Sequence, residues 1–196
     1  MPDRPVNPQP NRDAPDVAAE LAARLEAADC DYAIGGAIAL GFWAEPRGTL
    51  DVDVTLYLPL DDPHRCMSLL EQIGCNFDRR RTQETLQDHT FCQVEFSGLR
   101  LDVFLPMSPF YDAAKSRRCR VPLANGHAFV WDAETLCVFK MMFFRRKDLT
   151  DVGAVLLAQG EALDRQWIET SLIDLYGQRD PRINQWRELV AEHPQR

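Results

Sequence analysis

The stretch from Tyr32 to Leu58 constrains the chain most. Tyr32-Ala33-Ile34 reads as a brief strand, Gly35-Gly36 breaks it, and Ala37 to Trp43 is apolar and helix-compatible. Pro46-Arg47-Gly48 ends that helix, and Leu50 to Leu58 is β-branched and apolar in the alternating manner of a strand. The period of two sends Val52, Val54, Leu56 and Leu58 to one face, and Asp51, Asp53, Thr55 and Tyr57 to the other. Both carboxylates therefore point the same way. A strand, a glycine turn, a helix and an acidic strand in close succession call for a sheet with a helix packed on it.

The rest of the chain extends this plan. Asp16 to Ala28 carries Val17, Leu21 and Leu25 at helical spacing, with Asp16 placed to cap the start. Pro63 to Ile73 reads as a covering helix. Thr90 to Phe96 and Leu99 to Leu105 form a hairpin across Ser97-Gly98, and Cys119 to Leu123 pairs with His127 to Trp131 across Asn125-Gly126. From Asp132 the pattern turns helical: Ala133 to about Phe144, Asp148 to Leu157, Asp164 to Tyr176 and Pro181 to Glu192. The expected class is α+β, a mixed sheet with flanking helices followed by a C-terminal helical bundle. Residues 1–14, with four prolines among polar residues, read as a flexible tail, 15–131 as the sheet-bearing domain and 132–196 as the helical region.

Composition narrows the class. At 196 residues the chain can bury a core without staples, and its six cysteines form no C-x-x-C pair, so reduced buried thiols are expected. No apolar run approaches a membrane span and no signal peptide opens the chain, so the cytoplasm is the expected compartment and a membrane is not an expected partner. A net charge of −8 argues against a surface that grips nucleic acid throughout. Arg79-Arg80-Arg81, Arg117-Arg118 with Arg120, and Arg145-Arg146-Lys147 are local basic clusters, and such runs are usually solvated faces. The four histidines have no metal-ligand spacing.

The acidic residues carry the chemistry. Two like charges about 7 Å apart on one strand face against a core are unfavourable without a compensating cation, and hard divalent ions suit carboxylate oxygens. In Leu99 to Leu105, Asp102 again stands alone opposite an apolar face. If the two strands are neighbours, Asp51, Asp53 and Asp102 form a three-carboxylate cluster able to hold two ions roughly 4 Å apart. Gly35-Gly36 opens a helix whose free N–H groups and dipole favour an anion. Each feature has a plainer reading, as an exposed acidic pair or an ordinary turn.

Together, Ile34-Gly35-Gly36-Ala37-Ile38-Ala39-Leu40 and Arg47-Gly48-Thr49-Leu50-Asp51-Val52-Asp53-Val54 resemble the signature of the nucleotidyltransferase superfamily, the polymerase-β-like fold. Asp102 fits the third acidic position. Asp132-Ala133-Glu134-Thr135-Leu136, Lys140 and Arg146-Lys147-Asp148-Leu149-Thr150-Asp151 are similar to the tail of AbiEii-type toxin nucleotidyltransferases, and the front half also resembles aminoglycoside and lincosamide nucleotidyltransferases.

The resemblance implies two Mg²⁺ ions on Asp51, Asp53 and Asp102, an NTP on Gly35-Gly36 with Arg47 and Thr49, and NMP transfer to an acceptor hydroxyl of a protein, tRNA or small molecule. For a toxin, it also implies a cognate antitoxin. Many members have Ser where Gly36 stands. Lys140, in an otherwise apolar helix, either snorkels to solvent or enters the cleft to face the Gly35-Gly36 turn, and the resemblance favours the cleft. Lys147 is the second cation for the triphosphate. Asp148 and Asp151 either favour a helix start or orient Lys147 or the acceptor. A non-catalytic nucleotidyltransferase-like module and an antibiotic-modifying enzyme remain as alternatives, with a D-x-D glycosyltransferase behind them.

Overall fold

The structure is a computed structural model that describes residues 13–194. Most of the expected tail, residues 1–12, lies outside that range. Its last two residues instead start a helix: Asp13, not Asp16, caps α1 (Ala14–Ala27), its carboxylate accepting the Asp16 N–H at 3.1 Å. Asp16 sits in the first turn, where a negative charge meets the helix dipole.

Six strands form one mixed sheet in the order β3-β4-β2-β1-β6-β5. They are β1 (Tyr32–Ile34), β2 (Asp51–Leu56), β3 (Phe91–Phe96), β4 (Leu99–Phe104), β5 (Cys119–Leu123) and β6 (Gly126–Val130). Both expected hairpins, β3–β4 and β5–β6, are antiparallel pairs. The central pairing is parallel, β2 beside β4, in a register that sets Asp53 against Asp102 and Asp51 against Arg100. Paired residues share a face, so Val52, Val54, Leu101, Val103 and Val94 line one side of the sheet, and α1 packs against that side. Asp51, Asp53, Arg100, Asp102 and Phe104 line the other.

That second side receives α2 (Gly36–Trp43), α6 (Ala133–Phe143) and α7 (Arg146–Gln159), which pack on one another. Asp132 caps α6 by accepting the Thr135 N–H at 2.9 Å. Phe144, in the left-handed conformation with φ 56°, ends α6 and turns the chain so that α7 folds back along it. α8 (Arg165–Tyr176) and α9 (Pro181–Glu192) finish the chain. One hydrophobic core runs from Ala14 through the sheet to Leu189, so the C-terminal helices share the core of the sheet. No helix among the described residues is long and apolar enough to cross a membrane.

Two helices escape the sequence pattern. α4 (Arg79–Asp88) buries only Thr82 and Leu86, a stripe too thin to show as periodicity. α5 (Phe110–Arg117) is two turns long and buries Phe110, Tyr111 and Ala114. Two of the basic clusters are engaged within the fold: Arg79 pairs with Glu71 and Arg80 with Glu84, while Arg117 pairs with Asp132 and Glu134, and Arg118 with Asp31. All six cysteines are free, and burial pushes the Cys66, Cys75 and Cys92 thiols up to about 12, which keeps them inert.

Candidate active site

A cleft opens between the acidic face of the sheet, the start of α2 and the α6–α7 corner. Ten of the eleven sequence-selected site residues line it: Gly35, Gly36, Arg47, Thr49, Asp51, Asp53, Asp102, Lys140, Lys147 and Asp148. Asp151 stands directly behind, bonded to two of them.

Gly35 is the N-cap of α2, and no side chain caps that helix. Its first-turn N–H groups are thus left to solvent or a ligand. Gly36 has φ +58°, and a β-carbon there would stand 1.7 Å from Asp53 Oδ2. The side-chain-free turn is therefore what allows the Asp53 carboxylate against the helix start. Trp131 closes the other side, its indole so near that a β-carbon on Gly35 would meet Cδ1 at 3.1 Å.

The three carboxylates differ in environment. Burial, then the charges of Asp102 and Asp51, push Asp53 up to about 6. Burial also raises Asp102, against the pull of Arg100. Burial would raise Asp51 too, but the Thr49 hydroxyl, which donates to Oδ1 at 2.5 Å, and Arg100 outweigh it and hold Asp51 below the ordinary carboxylate value.

As they stand, no three His, Cys, Asp or Glu side chains among the described residues are gathered closely enough to hold a metal ion. Arg100 lies across the three carboxylates, pairing through Nη2 with Asp51 and through Nε with Asp102 at 3.1 Å. The donor chemistry still fits a hard divalent cation. Three carboxylates share one face of one cleft, and the one whose pKa is raised most, Asp53, is disfavoured as an anion by its own neighbours.

Opposite the aspartates is a buried ion-pair network. Asp151 takes Arg47 in a two-pronged bond, Nε to Oδ1 and Nη2 to Oδ2, both 3.1 Å, and shares Oδ2 with Lys140 Nζ at 2.5 Å. Asp148, with its side chain 1% exposed, takes Arg145 Nε at 2.6 Å and lies 3.6 Å from Lys140 Nζ. Burial works against the Asp151 anion, yet Arg47 and Lys140 hold its carboxyl below the ordinary value. Lys140 therefore neither snorkels nor stands free toward the glycine turn: it is buried in the cleft wall between two carboxylates of α7. Asp148 and Asp151 orient Lys140, Arg47 and Arg145, not Lys147. Lys147 is exposed and makes no ion pair with the described residues, though its charge reaches Asp51 and Asp53.

Several lining residues were not singled out from the sequence. Arg100 had a signal, since alternation along β4 places it two residues from Asp102 on the same face. Phe104 follows by the same spacing. Tyr111, Trp131, Phe139 and Phe143 form an aromatic wall, with Trp131 and Phe139 centroids 5.0 Å apart and Tyr111 and Phe139 5.1 Å, which depends on α5 and on long-range packing.

The fold is nucleotidyltransferase-like. No protein-family model and no curated protein matches the sequence. Among solved structures, the chain is similar to an antigenic nucleotidyltransferase-like protein from Paracoccidioides brasiliensis, with TM-score 0.52 and 18% identity over 87% of this chain and 91% of that one. It is also similar to the antibiotic-resistance factor ANT(2'')-Ia in solution, with TM-score 0.53 and 11% identity over 89% and 93%. The crystal structure of ANT(2'')-Ia in complex with adenylyl-2''-tobramycin gives TM-score 0.53 and 13% identity over 81% and 95%.

Proposed function

We propose that the protein transfers a nucleoside monophosphate from an NTP to an acceptor hydroxyl, with Mg²⁺. The observation that carries this is one cleft with Asp51, Asp53 and Asp102 on the sheet side, the uncapped start of α2 beside them, and Arg47, Lys140, Arg145 and Lys147 around the α6–α7 corner. Carboxylates to bind cations and cations to bind phosphates are the two halves that phosphoryl transfer needs.

In this reading the first-turn N–H groups of α2, from Gly36 onward, receive the phosphates, while the Gly35 N–H stays bonded to the Asp53 carbonyl at 2.9 Å, and Lys147 meets the triphosphate from the solvent side. Arg47 and Lys140, held rigidly by Asp151, supply fixed positive potential behind it. Mg²⁺ held by Asp51, Asp53 and Asp102 would offset the phosphate charge and lower the pKa of the attacking hydroxyl. The acceptor oxygen forms its bond to the α-phosphorus as the bond to the α–β bridging oxygen breaks. Asp102, whose carboxyl is raised by burial, takes the hydroxyl proton, and pyrophosphate leaves with the electron pair.

For the acceptor, a small molecule is the reading the net charge of −8 favours, and ANT(2'')-Ia carries such a product, adenylyl-2''-tobramycin, on a similar fold. A toxin role rests only on the resemblance carried by Asp132 to Leu136, Lys140 and the Lys-Asp-x-x-Asp element, and Asp148 and Asp151 have a sufficient structural occupation in the ion-pair network with Lys140. The test is incubation with each NTP labelled at the α- or γ-phosphate, Mg²⁺ and cell extract, followed by separation of protein, RNA and small molecules. Product labelled from the α- but not the γ-position supports the reading. Label from the γ-position, or transfer undiminished in Asp53→Ala, overturns it.

A further inference from the structure

Among the described residues, Arg100 is the cation that ion-pairs with the aspartates of the acidic face, and its geometry is that of a bridge. Alternation along β4 gives it the same face as Asp102, and the parallel register gives it Asp51 as its cross-strand partner. Different nitrogens reach different carboxylates, Nη2 to Asp51 Oδ2 and Nε to Asp102 Oδ1 at 3.1 Å, where a Gln93 amide also donates at 3.2 Å. The guanidinium therefore uses the same oxygen lone pairs that a divalent cation on this face would need. The two compete for the same carboxylates.

The bridge is also releasable. The Arg100 side chain is 52% exposed, whereas Lys140, in its pairs with Asp148 and Asp151, is 7% exposed. Exposed ion pairs contribute little net stability, so Arg100 can leave without disturbing the core. What it lacks on leaving is an anion, and a triphosphate in the same cleft would supply one.

We propose that Arg100 is a resident counter-ion of the acidic face that yields to a metal ion when a nucleotide phosphate arrives to take its charge, so that this residue couples metal binding to nucleotide binding. The inference rests on the nucleotidyltransfer reading of the cleft and assigns Arg100 a positioning role. Metal alone competes with the guanidinium for Asp51 and Asp102. Metal with nucleotide does not, because the nucleotide gives Arg100 another partner. By linkage each of the two then tightens the other, and the coupling should vanish with the guanidinium.

The test measures Mn²⁺ affinity of the full chain by the electron paramagnetic resonance of the free ion, with and without the α,β-methylene analogues of ATP, GTP, CTP and UTP in turn. Wild type is compared with Arg100→Gln and with Arg100→Lys, melting curves confirming that each is folded. Arg100→Gln should bind Mn²⁺ alone about 1.5- to fivefold more tightly, the range of exposed ion pairs, while its affinity in the presence of analogue stays near that of wild type. Arg100→Lys, which reaches one carboxylate at a time, should fall between. Equal tightening with and without analogue would reduce Arg100 to a bulk charge effect and overturn the proposal, as would unchanged or weaker Mn²⁺ binding in Arg100→Gln. If neither protein binds Mn²⁺ even with analogue, the nucleotidyltransfer reading itself fails and the proposal with it.

Discussion

The Asp53 carboxylate rests against the backbone of Gly36 so closely that a β-carbon on Gly36 would stand 1.7 Å from Oδ2 and 2.6 Å from Cγ. The uncapped start of α2, to which the proposed function gives the phosphates, and the carboxylate to which it gives Mg²⁺ thereby form one wall. Where relatives implied by the sequence resemblance place a serine hydroxyl, this chain places the carboxylate itself.

Gly36→Ala should therefore do two separable things. The residue sits at φ +58°, which costs a residue with a side chain about 1–2 kcal/mol, read as a lowered melting temperature. The methyl group also forces Asp53 out of its position, so NMP transfer should fall at least about tenfold under conditions where the variant is still folded. Retained transfer would show that Asp53 works equally well elsewhere.

Asp53 predicts a pH dependence of stability. Its pKa of about 6 lies above the ordinary carboxylate value near 4, so between those values the folded protein holds a proton that the unfolded chain has lost. Stability of the metal-free protein should then fall as pH rises from about 4 to 6. In Asp53→Asn that slope should shrink, leaving the smaller contribution of Asp102, whose carboxyl is raised in the same sense. Asp151 acts oppositely, its lowered pKa giving stability that is present above the ordinary carboxylate value and lost as pH falls below it. Urea melts across this window separate the two.

Lys140→Ala should destabilise the protein severely, by about 3–5 kcal/mol, because it leaves Asp148 and Asp151 buried with less compensation. A free cleft lysine would have cost little stability. A urea midpoint close to wild type would contradict the network, and Lys140→Ala combined with Asp151→Ala should lose less than the two single losses added.

How much of this was legible in the sequence depended on whether a signal was local. The alternation of Asp51, Val52, Asp53 and Val54 names the face of each side chain without knowledge of the fold, and Asp102 reads the same way. The pairing of β2 with β4, which brings them together, is a long-range fact that only a hypothesis could bridge. Arg100 is the instructive miss, since the periodicity that marked Asp102 marks its neighbour two residues away. Lys140 shows the opposite limit. Its place among Val138, Phe139 and Met141 fits snorkelling as well as burial, and whether a buried lysine faces substrate or is locked by carboxylates depends on the turn at Phe144, whose left-handed conformation in a non-glycine residue has no sequence cue. α4 and α5 were invisible because two or three buried residues per helix do not make a period.

Lys147 completes the contrast with Lys140 and gives the sharpest separation of roles. It lies at the first turn of α7 on the cleft rim, exposed and unpaired among the described residues, so no native contact depends on its charge. Lys147→Ala should leave the melting temperature and urea midpoint unchanged. If Lys147 meets the triphosphate, the same change removes a charge-assisted contact whose solvent exposure places it at the low end of the usual range, so nucleotide affinity should drop about tenfold. Raising ionic strength should weaken wild-type binding and narrow its difference from Lys147→Ala, since an exposed charge is screened over about 8–10 Å at ordinary salt. The pair of variants thus divides the cations of the cleft: loss of stability for Lys140→Ala, loss of nucleotide affinity alone for Lys147→Ala. A Lys147→Ala protein that binds nucleotide as wild type does would move the triphosphate away from the α7 rim and leave Arg47 and Arg145 as the cations to test next.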